Sequence, residues 1–259
     1  MYSVSHSHRI ASDLENLTRD GYLPLPRVYS IEECLEFVAD LTGSLESHRD
    51  DAATLQRHNG VIYGARNLLD LFPTARELWR RPPLLDLLFC VLGPKCGLVR
   101  GLYFDKPPES TWSLPWHQDR TIAVVENTIA SARFSCPTRK SGVPHIEGPH
   151  EVLRQMLTLR IHLDDVSDEN GPLVVLPGSH RGAGVPPAEV ESGSRQAGRL
   201  PHVIHAAAGD VLAMRPLLYH CSGSSSPTTT RHRRILHLEF AASPDLPDGF
   251  EWYTFVPAV

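Results

Sequence analysis

The sequence predicts a mainly β fold of the α+β kind, in which N-terminal helices over about 12–95 brace an antiparallel β-sandwich or barrel over about 97–242. Three observations carry this expectation. Apolar residues at helical spacing are concentrated in the first third of the chain. Beyond Gly97 the segments become short, β-rich and separated by turn signals. At 259 residues and 41% hydrophobic content, the chain can bury the core of one large domain, read as 1–259, or of two small ones. Helices first and antiparallel strands later indicate helices packed against a sheet.

The elements follow in chain order. His6 and His8 belong to an N-terminal stretch read as disordered. Apolar spacing marks a short helix from Ser12 to Arg19, closed by Gly21, and YLPLP reads as extended. Ser30 with Glu33 forms a capping-box pattern, and Cys34, Leu35, Phe37, Val38 and Leu41 supply the apolar face of a second helix up to Gly43. The stretch ARELWRRPPLLDLLFCVLG reads as one helix broken before Pro82 and Pro83, then another ending at Gly93. The strand segments are GLVRGLYFDK, QMLTLRIHLDDV, PLVVLPG, HVIHAAAGDVLAMRPLLYH and RRILHLEFAA. Two long stretches, Thr128 to His150 and Arg181 to Pro201, read as irregular; loops of that length serve as lids, binding loops or disordered insertions. There are no internal repeats.

Charge and cysteine usage exclude several classes. Lys plus Arg number 25 against 30 Asp plus Glu, and the net charge of -5 gives no pull toward nucleic acid or an anionic membrane. The most apolar run, Leu84 to Gly93, is interrupted by Asp86 and too short to span a bilayer, and the N-terminus lacks an apolar core of signal-peptide length. Five cysteines without C-x-x-C spacing fit reduced thiols, so a cytoplasmic location is expected. Cys221 reads as a small thiol packed near a strand end.

The chemistry is concentrated in PWHQD, Pro115 to Asp119. In a strand, His117 and Asp119 project to one side and Gln118 to the other. An imidazole and a carboxylate on one face are two-thirds of the set that binds non-haem iron(II), two histidines and one carboxylate with the remaining positions open. The second histidine must come from a distant strand, and His220, at the end of GDVLAMRPLLYH, is the candidate. In RHRRILHLEF, Arg233, Ile235, His237 and Glu239 share one face while Arg234, Leu236, Leu238 and Phe240 share the other. A guanidinium pointing into a barrel needs an anionic partner, which the distal carboxylate of a 2-oxo acid would supply. Ser222, two residues after His220, could add a hydroxyl hydrogen bond to the same carboxylate.

Together, H-x-D at 117–119, ENGPLVVLPGSHR at Glu169 to Arg181, and H-x-S followed by R-R-x-L-H-L-E-F resemble the phytanoyl-CoA dioxygenase family of iron(II)- and 2-oxoglutarate-dependent oxygenases over roughly Asp13 to Ala242. The resemblance implies a double-stranded β-helix, or jelly roll, with His117, Asp119 and His220 as iron ligands and Arg233 on the 2-oxoglutarate C5 carboxylate. It implies 2-oxoglutarate and O2 as co-substrates, succinate and CO2 as products, and hydroxylation of a substrate C–H bond. A carboxylate at Asp119 fills the place that related halogenases leave for chloride, which disfavours halogenation. The spacing from His220 to Arg233 is longer than the family's pattern by two residues, so Arg231, which has the spacing, stays an alternative, and inward parity does not separate them. Arg160 stands where some relatives carry an aromatic residue; it is either a second cation near substrate or an ion-pair partner for an acid. Gln118 either contacts co-substrate or is structural.

Trp112 and Trp116 are expected to pack the barrel edge, His180 and Arg181 to form a turn, and Arg139, Lys140 and His145 to be solvated loop residues or to meet an anionic substrate. With no dense basic cluster for coenzyme A phosphates, a free small molecule is expected rather than a CoA ester. Two rival readings are a jelly roll that binds a ligand without catalysis, and a cupin-like metalloenzyme that does not use 2-oxoglutarate.

Overall fold

The computed structural model describes residues 3–48, 55–58, 60–108, 111–182 and 200–259. The N-terminal part contains α1 (Ser3–Asp20), β1 (Tyr22–Leu25), α2 (Ile31–Ser47), β2 (Leu55–His58), β3 (Val61–Ala65), α3 (Leu68–Leu71) and α4 (Pro82–Leu92). The chain continues through β4 (Gly97–Phe104), β5 (Leu114–His117), β6 (Thr121–Ala123), β7 (Ser135–Lys140), β8 (Val143–Glu147), α5 (His150–Leu153) and β9 (Met156–His162). It ends with β10 (Leu173–Val175), β11 (His202–Ile204), β12 (Val211–Met214), β13 (His220–Ser222), β14 (Ile235–Ala241) and β15 (Val256–Pro257).

Two antiparallel sheets form a jelly-roll sandwich. The large sheet runs β1-β12-β9-β14-β4-β3-β2, with β15 also on β4, and the small one runs β11-β10-β13-β5. Leu173, Val175 and Ile204 of the small sheet share a core with Leu212 and Met214 of the large one, which stacks the two sheets face to face. On its other face the large sheet buries Leu157, Leu159, Ile161, Leu236, Leu238 and Phe240 against the helices. A third sheet, β6-β8-β7, is attached next to the end of β5. Among the described residues no helix is long and apolar enough to cross a membrane.

Several local expectations need correction. The first helix begins at Ser3, so His6 and His8 lie on a helical backbone rather than in a disordered terminus. The Ser30 capping box is present, Glu33 N donating to Ser30 Oγ (3.2 Å) and Ser30 N to Glu33 Oε2 (2.8 Å). That helix passes Gly43, because Leu45 continues the buried stripe one turn after Leu41; Leu35 is 63% exposed and off the stripe. The segment before Pro82 is not a helix but a 3-10 turn at Pro73–Arg76 leading to Trp79, which is fully buried edge-on against Phe240 at 5.0 Å. Pro82 and Pro83 instead open α4, where a missing N–H costs nothing.

The first third also holds the β2–β3 hairpin, which extends the large sheet; its edge strand β2, LQRH, is largely polar and short. The stretch 128–150 is likewise not wholly irregular. It contains the β7–β8 hairpin, whose turn residues Ser141 (φ 50°) and Gly142 (φ 79°) both take the left-handed conformation that two-residue hairpins need. Most of the second long stretch, 183–199, lies outside the described residues. None of the five cysteines forms a disulfide, and Cys221 lies on β13.

Candidate metal centre

The small sheet brings two imidazoles together by register: His220 on β13 pairs with His117 at the end of β5, and their ring centroids are 4.1 Å apart. β5 stops at His117, so Asp119 is not positioned by strand alternation as the sequence suggested. Its backbone N–H donates instead to Pro216 O (2.9 Å), and Gln118 Nε2 donates to Leu217 O (2.6 Å). Both contacts tie the turn to the approach of β13, turning Gln118 away and Asp119 inward. Asp119 Oδ1 then lies 3.7 Å from His117 Nε2, and Oδ2 3.7 Å from His220 Nε2.

Each imidazole is oriented by its other nitrogen. His117 Nδ1 is 2.8 Å from Pro115 O, and His220 Nδ1 is 2.9 Å from Leu218 O. A carbonyl accepts only, so Nδ1 carries the proton in both rings and each Nε2 presents a lone pair toward Asp119. The ligand atoms of His117, Asp119 and His220 lie within 4.8 Å of one another. Burial pushes His220 down to about 4, which keeps it in the neutral form that ligates cations. For Asp119, burial favours the proton, but His220, His237 and His117 together with Arg100 outweigh it and hold the carboxyl below its usual range. Asp119 Oδ2 is buried without a hydrogen-bond partner, an orphaned acceptor that a cation would satisfy. His117 and Asp119 remain 29% and 23% exposed against 3% for His220, so the trio is open on one side.

Beside β13 lies a buried cationic pocket. Arg233 is 2% exposed and donates through Nη1 to Gly171 O, whereas Arg231 is at the surface. Burial, followed by the proximity of Arg160, lowers Arg233 to about 9. The pocket's second basic group, Lys106, was not singled out from the sequence; burial, followed by the proximity of Arg233 and Arg160, lowers it to about 6. Fully buried, its Nζ donates to Ser222 Oγ (3.0 Å), Gly171 O (3.2 Å) and Gly223 O. Trp112 packs as expected, against Tyr63 and Phe104 (ring centroids 6.2 and 6.1 Å), and its ring also lies 4.9 Å from Lys106 Nζ and 5.8 Å from Arg233 Cζ. Gly171 (φ 66°) makes the close approach possible, since a Cβ there would lie 2.4 Å from Gly223 O. The only local clue to Lys106 was a lysine between an apolar strand and Pro-Pro, which reads equally well as a solvated loop cation.

Arg160 and His237 oppose each other across β9 and β14, and Arg160 Nη1 is 3.0 Å from His237 Nδ1. Arg160 therefore points inward, and among the described residues its partner is an imidazole, not an acid. Guanidinium only donates, so His237 carries its proton on Nε2, 3.3 Å from Glu239 Oε1 and 3.9 Å from Asp119 Oδ2. Glu239 in turn pairs with Arg100 at 2.5 Å. Arg234 faces away, bound through Nε (2.8 Å) and Nη2 (2.6 Å) to Asp164. His180 Nε2 meets Thr18 O at 3.2 Å in a short 3-10 turn, consistent with a structural role.

Two antiparallel sheets with two imidazoles and a carboxylate converging at an open mouth describe a jelly roll whose mouth could hold a metal ion. The chain belongs to the phytanoyl-CoA dioxygenase (PhyH) family, whose profile matches residues 17–234. It is similar to the L-proline trans-4-hydroxylase of Streptomyces griseoviridis, 27% identical over 161 residues, which is 62% of this chain and 52% of that protein. It is also similar to the ectoine dioxygenase of Bordetella parapertussis, 26% identical over 178 residues, 66% of this chain and 49% of that protein. The chain thus spans about half the length of the curated relatives it matches. Among solved structures, the non-heme alpha-ketoglutarate-dependent epimerase SnoN from nogalamycin biosynthesis superposes with a TM-score of 0.65 at 18% identity, over 94% of this chain and 85% of that one. EctD from S. alaskensis with 2-oxoglutarate and 5-hydroxyectoine gives 0.63 at 21% identity, over 91% and 75%. At these identities the structures establish the shared fold.

Proposed function

We propose that this protein is an iron(II)- and 2-oxoglutarate-dependent dioxygenase that hydroxylates a C–H bond of a small-molecule substrate, with release of succinate and CO2. The observation that carries this reading is the convergence of His117 Nε2, His220 Nε2 and the Asp119 carboxylate, with both Nδ1 protons already taken up by backbone carbonyls. Family membership and the relatives' printed names, a hydroxylase and a dioxygenase, support it. Iron(II) with 2-oxoglutarate supplies the oxidation, O2 being the oxidant and 2-oxoglutarate the source of the other two electrons.

The residues of the chain hold and orient. His117 and His220 offer neutral nitrogens on rings fixed by Pro115 O and Leu218 O, and Asp119 supplies the negative charge. Arg233 receives the distal carboxylate of 2-oxoglutarate, with Ser222 as a second donor on the same side. Lys106 already donates to Ser222 Oγ, so the Ser222 hydroxyl proton is free to point at that carboxylate. Gln118 acts through the backbone contact that turns Asp119 inward, and Arg160 orients His237. Five cysteines without a disulfide support a reducing compartment, and we assign the protein to the cytoplasm on that basis.

The test is succinate formation from 2-oxoglutarate by the iron-loaded chain, combined with Co(II) titration. Asp119→Ala and His220→Ala are expected to abolish turnover and to weaken Co(II) binding by roughly 100-fold, with melting temperatures close to that of the parent. Unchanged 2-oxoglutarate consumption in either variant would remove the triad assignment.

A further inference from the structure

Basic residues that are scattered through the sequence meet on the open side of the triad. Arg66 directly follows β3, whose register with β4 (Gly64 opposite Phe104, Ala65 opposite Tyr103) turns it to the same inward face as Arg100. Asn67 Nδ2 donates to Ser141 O (3.1 Å), which clamps this turn against the tip of the β7–β8 hairpin and sets Lys140 beside Arg66. Lys140 is half-buried while the rest of β7 is exposed. Burial, Arg100 and Arg66 hold it below the usual lysine range, and Glu239 and Asp119 pull the other way.

The charges in this chamber do not balance. Glu239 is engaged by Arg100 at 2.5 Å, and His145, buried on β8, is neutral because burial lowers it to about 4. Among the described residues neither the Arg66 nor the Lys140 side chain makes a hydrogen bond or ion pair. Two partly buried cations whose only facing carboxylates among the described residues are Glu239, already paired with Arg100, and Asp119 of the triad are costly unless a ligand brings further negative charge. The 2-oxoglutarate carboxylate is provided for separately, at Arg233 beside β13.

We propose that the substrate carries an oxyanion, a carboxylate or a phosphate-class group, held by Lys140 and Arg66 so that its carbon skeleton lies across the open side of the triad. The inference rests on the dioxygenase reading and names the substrate class for it. It also changes the view of Arg139, Lys140 and His145 as a set: Arg139 is exposed and bonds Gly142 O at 2.6 Å, and Lys140 alone of the three pairs inward as a cation.

The test uses the full chain loaded with Co(II), with and without saturating 2-oxoglutarate. Paramagnetic broadening is followed on the 31P line of inorganic phosphate and the carboxyl 13C line of acetate, and the tighter probe names the oxyanion class. The expected result is saturable broadening with 2-oxoglutarate present, an apparent Kd weakened about tenfold in Lys140→Met and in Arg66→Met, and a Kd preserved in Lys140→Arg and in the exposed control Arg139→Met. Absence of broadening, or broadening indifferent to Lys140→Met and Arg66→Met, overturns the assignment and leaves an adventitious ion only. Probe binding that depends on both residues but disappears when 2-oxoglutarate is added gives the pair to the co-substrate and also overturns it. If Co(II) binding does not depend on His220, the dioxygenase reading itself has failed.

Discussion

The two faces of the large sheet are made from the same strands and have opposite characters. Between β9 and β14, the helix-facing pairs are Leu159 with Leu238 and Ile161 with Leu236, all fully buried hydrocarbon. The intervening pairs, Arg160 with His237 and Thr158 with Glu239, face the small sheet and are as deeply buried yet polar. One residue of offset therefore separates a face that stabilises from a face that carries charge at a cost. Burying those charges is unfavourable by itself, so the sheet depends on its apolar face to hold the polar one in place. Stability and chemistry are divided by strand parity within single strands.

The comparison breaks most severely on the apolar side. Phe240→Ala removes the ring that Trp79 meets edge-on at 5.0 Å, and about 3–5 kcal/mol of stability should go with it. Denaturant unfolding checks the loss. At temperatures where the variant is still folded, its Co(II) affinity should match that of the parent. A large drop in metal affinity would mean that the two faces are not separable.

On the polar side the sharper contrast is between two arginines that are two residues apart. Arg233→Ala should raise the 2-oxoglutarate KM roughly 30-fold, about 2 kcal/mol, while Arg231→Ala leaves it within about twofold, as expected of an exposed cation. Steady-state kinetics in 2-oxoglutarate reads both, and the reverse order would transfer the carboxylate to Arg231.

These two arginines also mark the limit of what the sequence could reveal. H-x-D and a histidine before a polar loop are compact patterns, and the jelly roll brings them together. Arg231 and Arg233 have the same parity, and only burial, set by where β14 enters the sandwich, distinguishes them. The turn of Asp119 toward His220 was anticipated for a reason that does not apply, because β5 ends at His117 and the hydrogen bonds to Leu217 O and Pro216 O do the work of strand alternation. Arg66, Arg100 and Lys106 left no readable signal, since each is a lone cation in a separate segment. Each of these basic residues stands alone in its stretch of sequence, and Arg66, Arg100 and Lys140 come from the turn after β3, from β4 and from β7. The β2–β3 hairpin was concealed because its edge strand β2, LQRH, is short and largely polar.

The smallest expected effect concerns a polar-face residue that touches neither the triad nor Arg233. His162 is buried at the end of β9, with Nδ1 3.2 Å from Asp210 O, and burial followed by Arg160 lowers it to about 4. The unfolded chain takes up this proton below pH of about 6.5, while the folded imidazole resists it until pH approaches 4. Stability contributed by the neutral ring is thus complete above pH of about 6.5 and declines as pH falls across that window, by on the order of 1–2 kcal/mol. Urea unfolding of the metal-free chain between pH 7.5 and 4.5 should show a steeper decline in the parent than in His162→Phe, which cannot take up the proton. Other buried groups titrate identically in both chains, so the difference between the two curves isolates His162. Parallel curves would show that the inward face tolerates a charged ring at this position, and would weaken the division of the sheet into an apolar supporting face and a charged face that is costly to bury.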